Sequence, residues 1–165
     1  MLAFIPWLIF LHILSAITFF LAHGTSIAMA FQLRKETDLA RIRALLDLST
    51  STMMIMFVSF VVMGFSGLIM PFILQIWNKG WIWASIVLMI VVFFYMVFMN
   101  DKRYSHRRKM VGLPYVVGGK QLPAEEPASQ DEVQAHIRKL NVNDMVIVGY
   151  VIPVIVLWLM VFKPF

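Results

Sequence analysis

Two histidines, His12 and His23, lie in a run from Leu2 to Phe31 that contains no Asp, Glu, Lys or Arg. Imidazole is the side chain that changes charge near neutral pH and that ligates haem iron, so this pair is where chemistry would start. The two are eleven residues apart, which on a helix is about 1,100°, or three turns plus about 20°. They therefore share one face, separated by about 16 Å along the axis. Ser15, Ala16, Phe19, Ser26 and Ala30 fall on that face with them. An imidazole turned toward acyl chains is costly, so this face is expected to point into protein.

Three chemistries suit such a pair. One is ligation of haem b by His12 and His23. Another is a neutral imidazole hydrogen-bonded to a hydroxyl or carbonyl of a neighbouring helix. The third, a proton or ion relay, has little to work with, because no acidic or basic side chain lies inside a span except Asp144 at an entrance. His106 and His136 fall in a link between spans, so a second axial ligand would be a methionine or a partner chain. Met63, in mid-span on a stripe of small residues, is the candidate within the chain. The expected site is thus His12, His23 and Met63, with the two histidines as metal ligands. Copper through His and Met ranks below haem, since no Met-x-Met or His-x-His cluster presents itself on the outer surface.

The elements that must hold these residues follow from composition. Of 165 residues, 61% are hydrophobic and 14% charged, with a mean hydropathy of +0.82. That is a membrane-protein composition. The absence of cysteine excludes disulfides, thiolate metal sites and cysteine nucleophiles. A net charge of +5 does not point to nucleic acid, because the charges sit in links between apolar runs. The opening run is about 45 Å long as a helix, against about 30 Å of bilayer hydrocarbon. Ala28-Met29-Ala30 resembles a cleavage site, but no basic residue precedes the run and its length exceeds a signal-peptide core, so it is expected to be a retained span.

Four spans are expected, at about residues 2–31, 52–76, 81–99 and 144–162, joined by links 32–51 and 100–143 and a tight turn at Trp77–Gly80. Leu39, Ile42, Leu45, Leu46 and Leu48 suggest a short interfacial helix in the first link, capped by Thr37 or Asp38. Met56, Ser59, Met63, Ser66/Gly67 and Met70 form one stripe of the second span, a pattern of helix–helix contact. Residues Met110 to Ala128, rich in Gly and Pro, read as loop with a short extended piece. Ser129-Gln-Asp-Glu132 is a capping box opening an amphipathic helix to about Leu140. In the fourth span Pro153 is expected to kink the helix.

Of fourteen Lys and Arg, twelve fall in the first and third links, which places those links in the cytoplasm and both termini outside. All five tryptophans fall at the outer ends of their spans, as half of an aromatic belt would. The run Tyr104-Ser-His-Arg-Arg-Lys109 then sits at the cytoplasmic boundary, suited to anionic headgroups. Gly118-Gly119-Lys120 lacks the glycine spacing and the Ser/Thr of a phosphate loop. No Ser/His/Asp arrangement, paired intramembrane carboxylate or His-Glu-x-x-His supports hydrolysis.

Leu11-His12-Ile13-Leu14, the basic stretch from Arg34-Lys35 to Arg41-Ile-Arg43-Ala-Leu-Leu46, and the closing Leu159-Met-Val-Phe-Lys-Pro164 resemble the four-span bacterial integral membrane proteins. Those in turn are similar to the copper-resistance D and membrane protoporphyrinogen oxidase families. The resemblance implies a haem ligand at His12; this chain differs in having no Arg in its first span and no Lys inside a later one. The expectation is an all-α membrane protein, a four-transmembrane-helix bundle of the bacterial inner membrane, binding haem b as a redox or accessory protein. The rivals are a cofactor-free accessory subunit, in contact with lipid and with a homodimer mate or larger membrane complex, and a porphyrin- or quinone-handling oxidoreductase.

Overall fold

The computed structural model describes residues 2–98 and 103–165. The expected end of the third span at Met99 and the start of the third link at Asn100 lie outside these. After a 3-10 turn at Leu2–Phe4, four helices are long and apolar enough to cross a membrane: α1 (Ile5–Leu33), α2 (Leu39–Leu74), α3 (Gly80–Phe98) and α6 (Asn143–Phe162). Their outward faces are dense with exposed Leu, Ile, Val and Phe, a lateral surface only lipid or another apolar partner would satisfy.

The first link differs from expectation. Instead of an interfacial helix followed by a separate span, α2 runs unbroken for 36 residues, about 54 Å. Asp38 caps it, its Oδ1 accepting from Ala40 N–H at 2.8 Å. The reason for continuity is that no Gly or Pro occurs between Leu39 and Met63. The hydroxyls that resemble a loop are absorbed by the helix itself: Thr50 Oγ1 donates to the Leu46 carbonyl and Thr52 Oγ1 to that of Ser49. At the far end Gln75 adopts the left-handed conformation (φ 54°) and closes α2.

α1 and α2 form an antiparallel hairpin with a regular register: His12 lies beside Ser66, His23 beside Met56, and Ser26 beside Thr52. α3 packs along α6. The backbones of α2 and α3 stay apart and are bridged by large side chains, with Phe60 stacked on Phe93 at 5.7 Å between centroids. In α6 the disturbance around Pro153 takes the form of a π-helical turn at Ile147–Val151. The wider turn accommodates the proline ring, which in a regular helix would collide with the carbonyl four residues earlier.

At the basic end of the bundle an extramembrane layer covers the helices. It comprises α4 (Ser105–Met110), an antiparallel hairpin of β1 (Tyr115–Val117) and β2 (Lys120–Leu122), and α5 (Gln130–Arg138). Gly118 and Gly119 both have positive φ, as a two-residue hairpin turn demands. α5 carries the expected capping box of Ser129 and Glu132. Its Val133 and Ile137 join Leu33, Ile42, Leu46, Val111 and Leu140 in one buried cluster, which ties the layer to the protruding first turns of α2.

Within this layer the rings of His106 and His136 meet edge-on at 5.1 Å. Burial holds the His136 pKa below its ordinary 6.5, reinforced by the charges of His106, Arg107 and Lys139. The unfolded layer therefore takes up a proton at a higher pH than the folded one. Its stability is complete above about pH 6.5 and is lost as pH falls through the lowered folded value. Relative to the intrinsic exchange rate, which itself slows with falling pH, amide protection across α5 is expected to drop from pH 7 to pH 5, and His136→Gln to flatten that dependence.

Candidate functional site

The face predicted from the histidine spacing is largely the buried face of α1: Ser15, Phe19, His23, Ser26 and Ala30 are buried, while His12 and Ala16 are half-buried. The two imidazoles nevertheless occupy different settings.

His12 lies in the seam between α1 and α2. Its Nδ1 is 2.9 Å from the carbonyl oxygen of Met63 and 3.2 Å from Ser66 Oγ. A carbonyl only accepts, so Nδ1 carries the hydrogen and Nε2 keeps its lone pair. The ring lies on Gly67, where a Cβ would come within 2.8 Å of Cε1. Met63 thus meets His12 through its main-chain oxygen.

His23 is 4% exposed and stacks on Phe19 at 5.6 Å. The thioether that touches a histidine belongs to Met56, whose Sδ lies 2.7 Å from His23 Nδ1. On the other side Nε2 presses against the backbone of Gly149, where an added Cβ would sit only 1.5 Å away. The Met145 carbonyl contributes from the turn before the π segment, yet Nε2 is buried without a well-formed hydrogen bond. Among the described residues no three of His, Cys, Asp and Glu converge as metal ligands.

His23 also lines the deep end of a cavity of about 500 Å³ between α2 and α3; His12 does not. This volume lies within the roughly 300–1,000 Å³ of small-molecule sites. The walls inside the spans are apolar: Met53, Met56, Phe57 and Phe60 from α2, Phe93 and Met96 from α3. Toward the extramembrane layer the lining becomes polar, with Tyr95, Tyr104, Arg107, Arg108, Tyr115 and Gln121.

That mouth is built by specific bonds. Arg108 clamps the layer onto α2, donating to Asp47 Oδ1 at 2.8 Å, to Thr50 Oγ1 at 2.9 Å and to the Pro114 carbonyl at 2.6 Å. Tyr104 donates to the Leu46 carbonyl. Arg103 pairs with Asp144 at 3.2 Å, joining the layer to the start of α6. Arg107 makes no ion pair among the described residues, and its Nε is buried without a partner. Burial pushes its guanidinium down to about 10, with Arg103 adding to the shift while Tyr104 and Tyr95 oppose it.

Of the residues expected to form the site, the structure brings His12 and Met63 together, and leaves His23 apart from them. Tyr95 and Met56 carry no distinguishing ligand signal in the sequence, Met56 being one of several methionines on the α2 stripe. The basic run Tyr104–Lys109 suits anionic headgroups at the boundary, but nothing in the sequence distinguishes Arg107 as the arginine that turns toward the cavity with an unpartnered Nε. Comparison of the chain with family models, with curated proteins and with solved structures returned no match in any of the three.

Proposed function

We propose that this protein is a small multi-pass protein of the bacterial inner membrane that holds one amphiphilic ligand in the cleft between α2 and α3. The basic layer faces the cytoplasm and both termini face outward. The observation that carries this reading is a gradient within one cavity, from Met and Phe walls inside the spans to Arg and Tyr at the membrane boundary. A ligand with an apolar body and a polar end matches such a gradient, because each part loses contact with water or lipid only where it gains an equivalent partner. The cleft lies between the two helices whose backbones stay apart, which offers a lateral route from the bilayer.

Haem b is a member of this ligand class, and a specific feature favours it as a second reading. His12 donates Nδ1–H to a carbonyl, the orientation that commonly prepares Nε2 for a metal. Against it stand the packing of both His23 nitrogens and the placement of His12 outside the cavity.

The test is photocrosslinking of the purified full chain with a diazirine-bearing single-chain amphiphile. Adducts are expected on Met53, Phe57, Phe60 and Phe93, and Met53→Trp, which fills the cleft, should reduce them at least about fivefold with helicity unchanged. Adducts spread evenly over the lipid-facing surface would sink the proposal. The same preparation, made under haem-replete conditions, shows a Soret band if haem is the occupant.

A further inference from the structure

Among the described residues, three of the four side-chain atoms that are buried without a hydrogen-bond partner, His23 Nε2, Tyr95 Oη and Arg107 Nε, belong to residues lining the same cavity. Buried polar groups are normally satisfied, and leaving one unpaired is destabilising, the more so for a charged group. Such a concentration in one place points to a missing partner. Two of these atoms, on Tyr95 and Arg107, are donors at the polar end of the cleft, and an arginine can only donate.

The charges around that end give the sign of the partner. Arg103 is matched by Asp144 and Arg108 by Asp47, while Arg107 is left unmatched among the described residues. Arg107 also lies against the buried cluster of the extramembrane layer, which limits its freedom to swing into water. A cation in this position is stabilised by an anion brought in with the ligand.

We propose that the cleft selects amphiphiles with an anionic phosphate or carboxylate head, which docks on Arg107 and Tyr95 while the chain lies between α2 and α3. The assignment rests on the cleft reading given above and specifies its ligand. The source of the anion is a membrane amphiphile entering from the basic side of the bilayer, because the charged end and the apolar walls form one continuous cavity.

The experiment measures retention of chain-matched probes on the detergent-purified full chain by native mass spectrometry: palmitoyl lysophosphatidate, palmitate, monopalmitoylglycerol and inorganic phosphate. Both anionic lipids should be retained at least about tenfold better than the neutral one, the size expected for a charge-assisted contact. Arg107→Gln should bring that ratio close to unity without affecting monopalmitoylglycerol, and Arg107→Lys should keep most of it. Tyr95→Phe, a smaller change to the fold, should lower retention of the anionic probes alone by a few-fold.

Equal retention of neutral and anionic chains would overturn the anion assignment while leaving the cleft reading in place. An unchanged ratio in Arg107→Gln would overturn it too, as would displacement of lysophosphatidate by inorganic phosphate at equal concentration. Failure to retain any of the amphiphiles would remove the cleft reading and this inference with it.

Discussion

Gly149→Ala is expected to destabilise the protein by about 3 kcal/mol, and the loss should nearly vanish when His23 is also replaced by alanine. The added methyl would sit 1.5 Å from His23 Nε2 and within 2.5 Å of two ring carbons. The ring cannot retreat freely, since Phe19 stacks on one face and Met56 Sδ meets Nδ1. Overpacking a filled interior costs about 1–3 kcal/mol or more, and this is a case where neither α1 nor α6 can yield alone. His23→Ala removes the obstacle and opens space beside residue 149, so the second methyl should cost no more than about 0.5 kcal/mol there. The resulting coupling of about 2–3 kcal/mol would be read from a double-mutant cycle of denaturation in bicelles. Additive effects would show that the imidazole does not dock on the π-turn backbone, and the deep wall of the cleft would need another description.

The contact explains why a histidine sits at this height in an otherwise apolar helix. Glycine at 149 lets the α6 backbone approach α1 closely, and the π-helical turn around it rearranges the local carbonyls. Helix pairs without a hydrophobic driving force associate through such close approaches. His23 thus couples the α1–α2 hairpin to α6 and at the same time forms the base of the cleft. His12 does a simpler job in the seam of the hairpin, where its hydrogen bond to the Met63 carbonyl supplements a helix already complete in itself.

Much of this architecture is legible in the residue pattern. Eleven-residue spacing places His12 and His23 on one face; of the companions on that face, Ser15, Phe19, Ser26 and Ala30 are buried and Ala16 is half-buried. Apolar runs locate the four helices long enough to cross a membrane, with ends within a few residues except at the start of α2, which begins thirteen residues before the expected Thr52, and the Ser129/Glu132 box marks the start of α5. The partners of the histidines are another matter. They depend on the register between α1 and α2, which is set by the length of the link joining them. Reading residues 32–51 as a link holding a separate interfacial helix leaves that register undetermined, whereas the actual connection is confined to residues 34–38. Once the link is short, His23 meets Met56 and His12 meets Ser66 as a matter of geometry. Arg107 and Tyr95 are hidden for a related reason. They come from α4 and α3, and nothing local to either segment shows that both turn toward one cavity.

The continuity of α2 yields the sharpest remaining prediction. Residues 49–52, Ser-Thr-Ser-Thr, look like a hinge between an interfacial helix and a span, and a hinge would accept proline. In the structure Ser51 is an exposed residue in the middle of a 36-residue helix. Ser51→Pro removes a main-chain donor and drives the ring into the carbonyl of Asp47, at a cost of about 3 kcal/mol. Ser51→Ala, which touches neither, should change stability by less than about 0.5 kcal/mol. The break would also fall between the two parts of the site: Asp47 and Thr50, which hold Arg108, lie before it, and Met53 and Met56, which line the cleft, lie after it. Ser51→Pro should therefore loosen the extramembrane layer, seen as faster amide exchange in α4 and α5, and should weaken retention of anionic amphiphiles more than of neutral ones. A proline variant as stable as wild type, with the layer still protected, would mean that α2 is two helices after all. The cationic mouth would then be hinged to the cleft rather than rigidly joined to it.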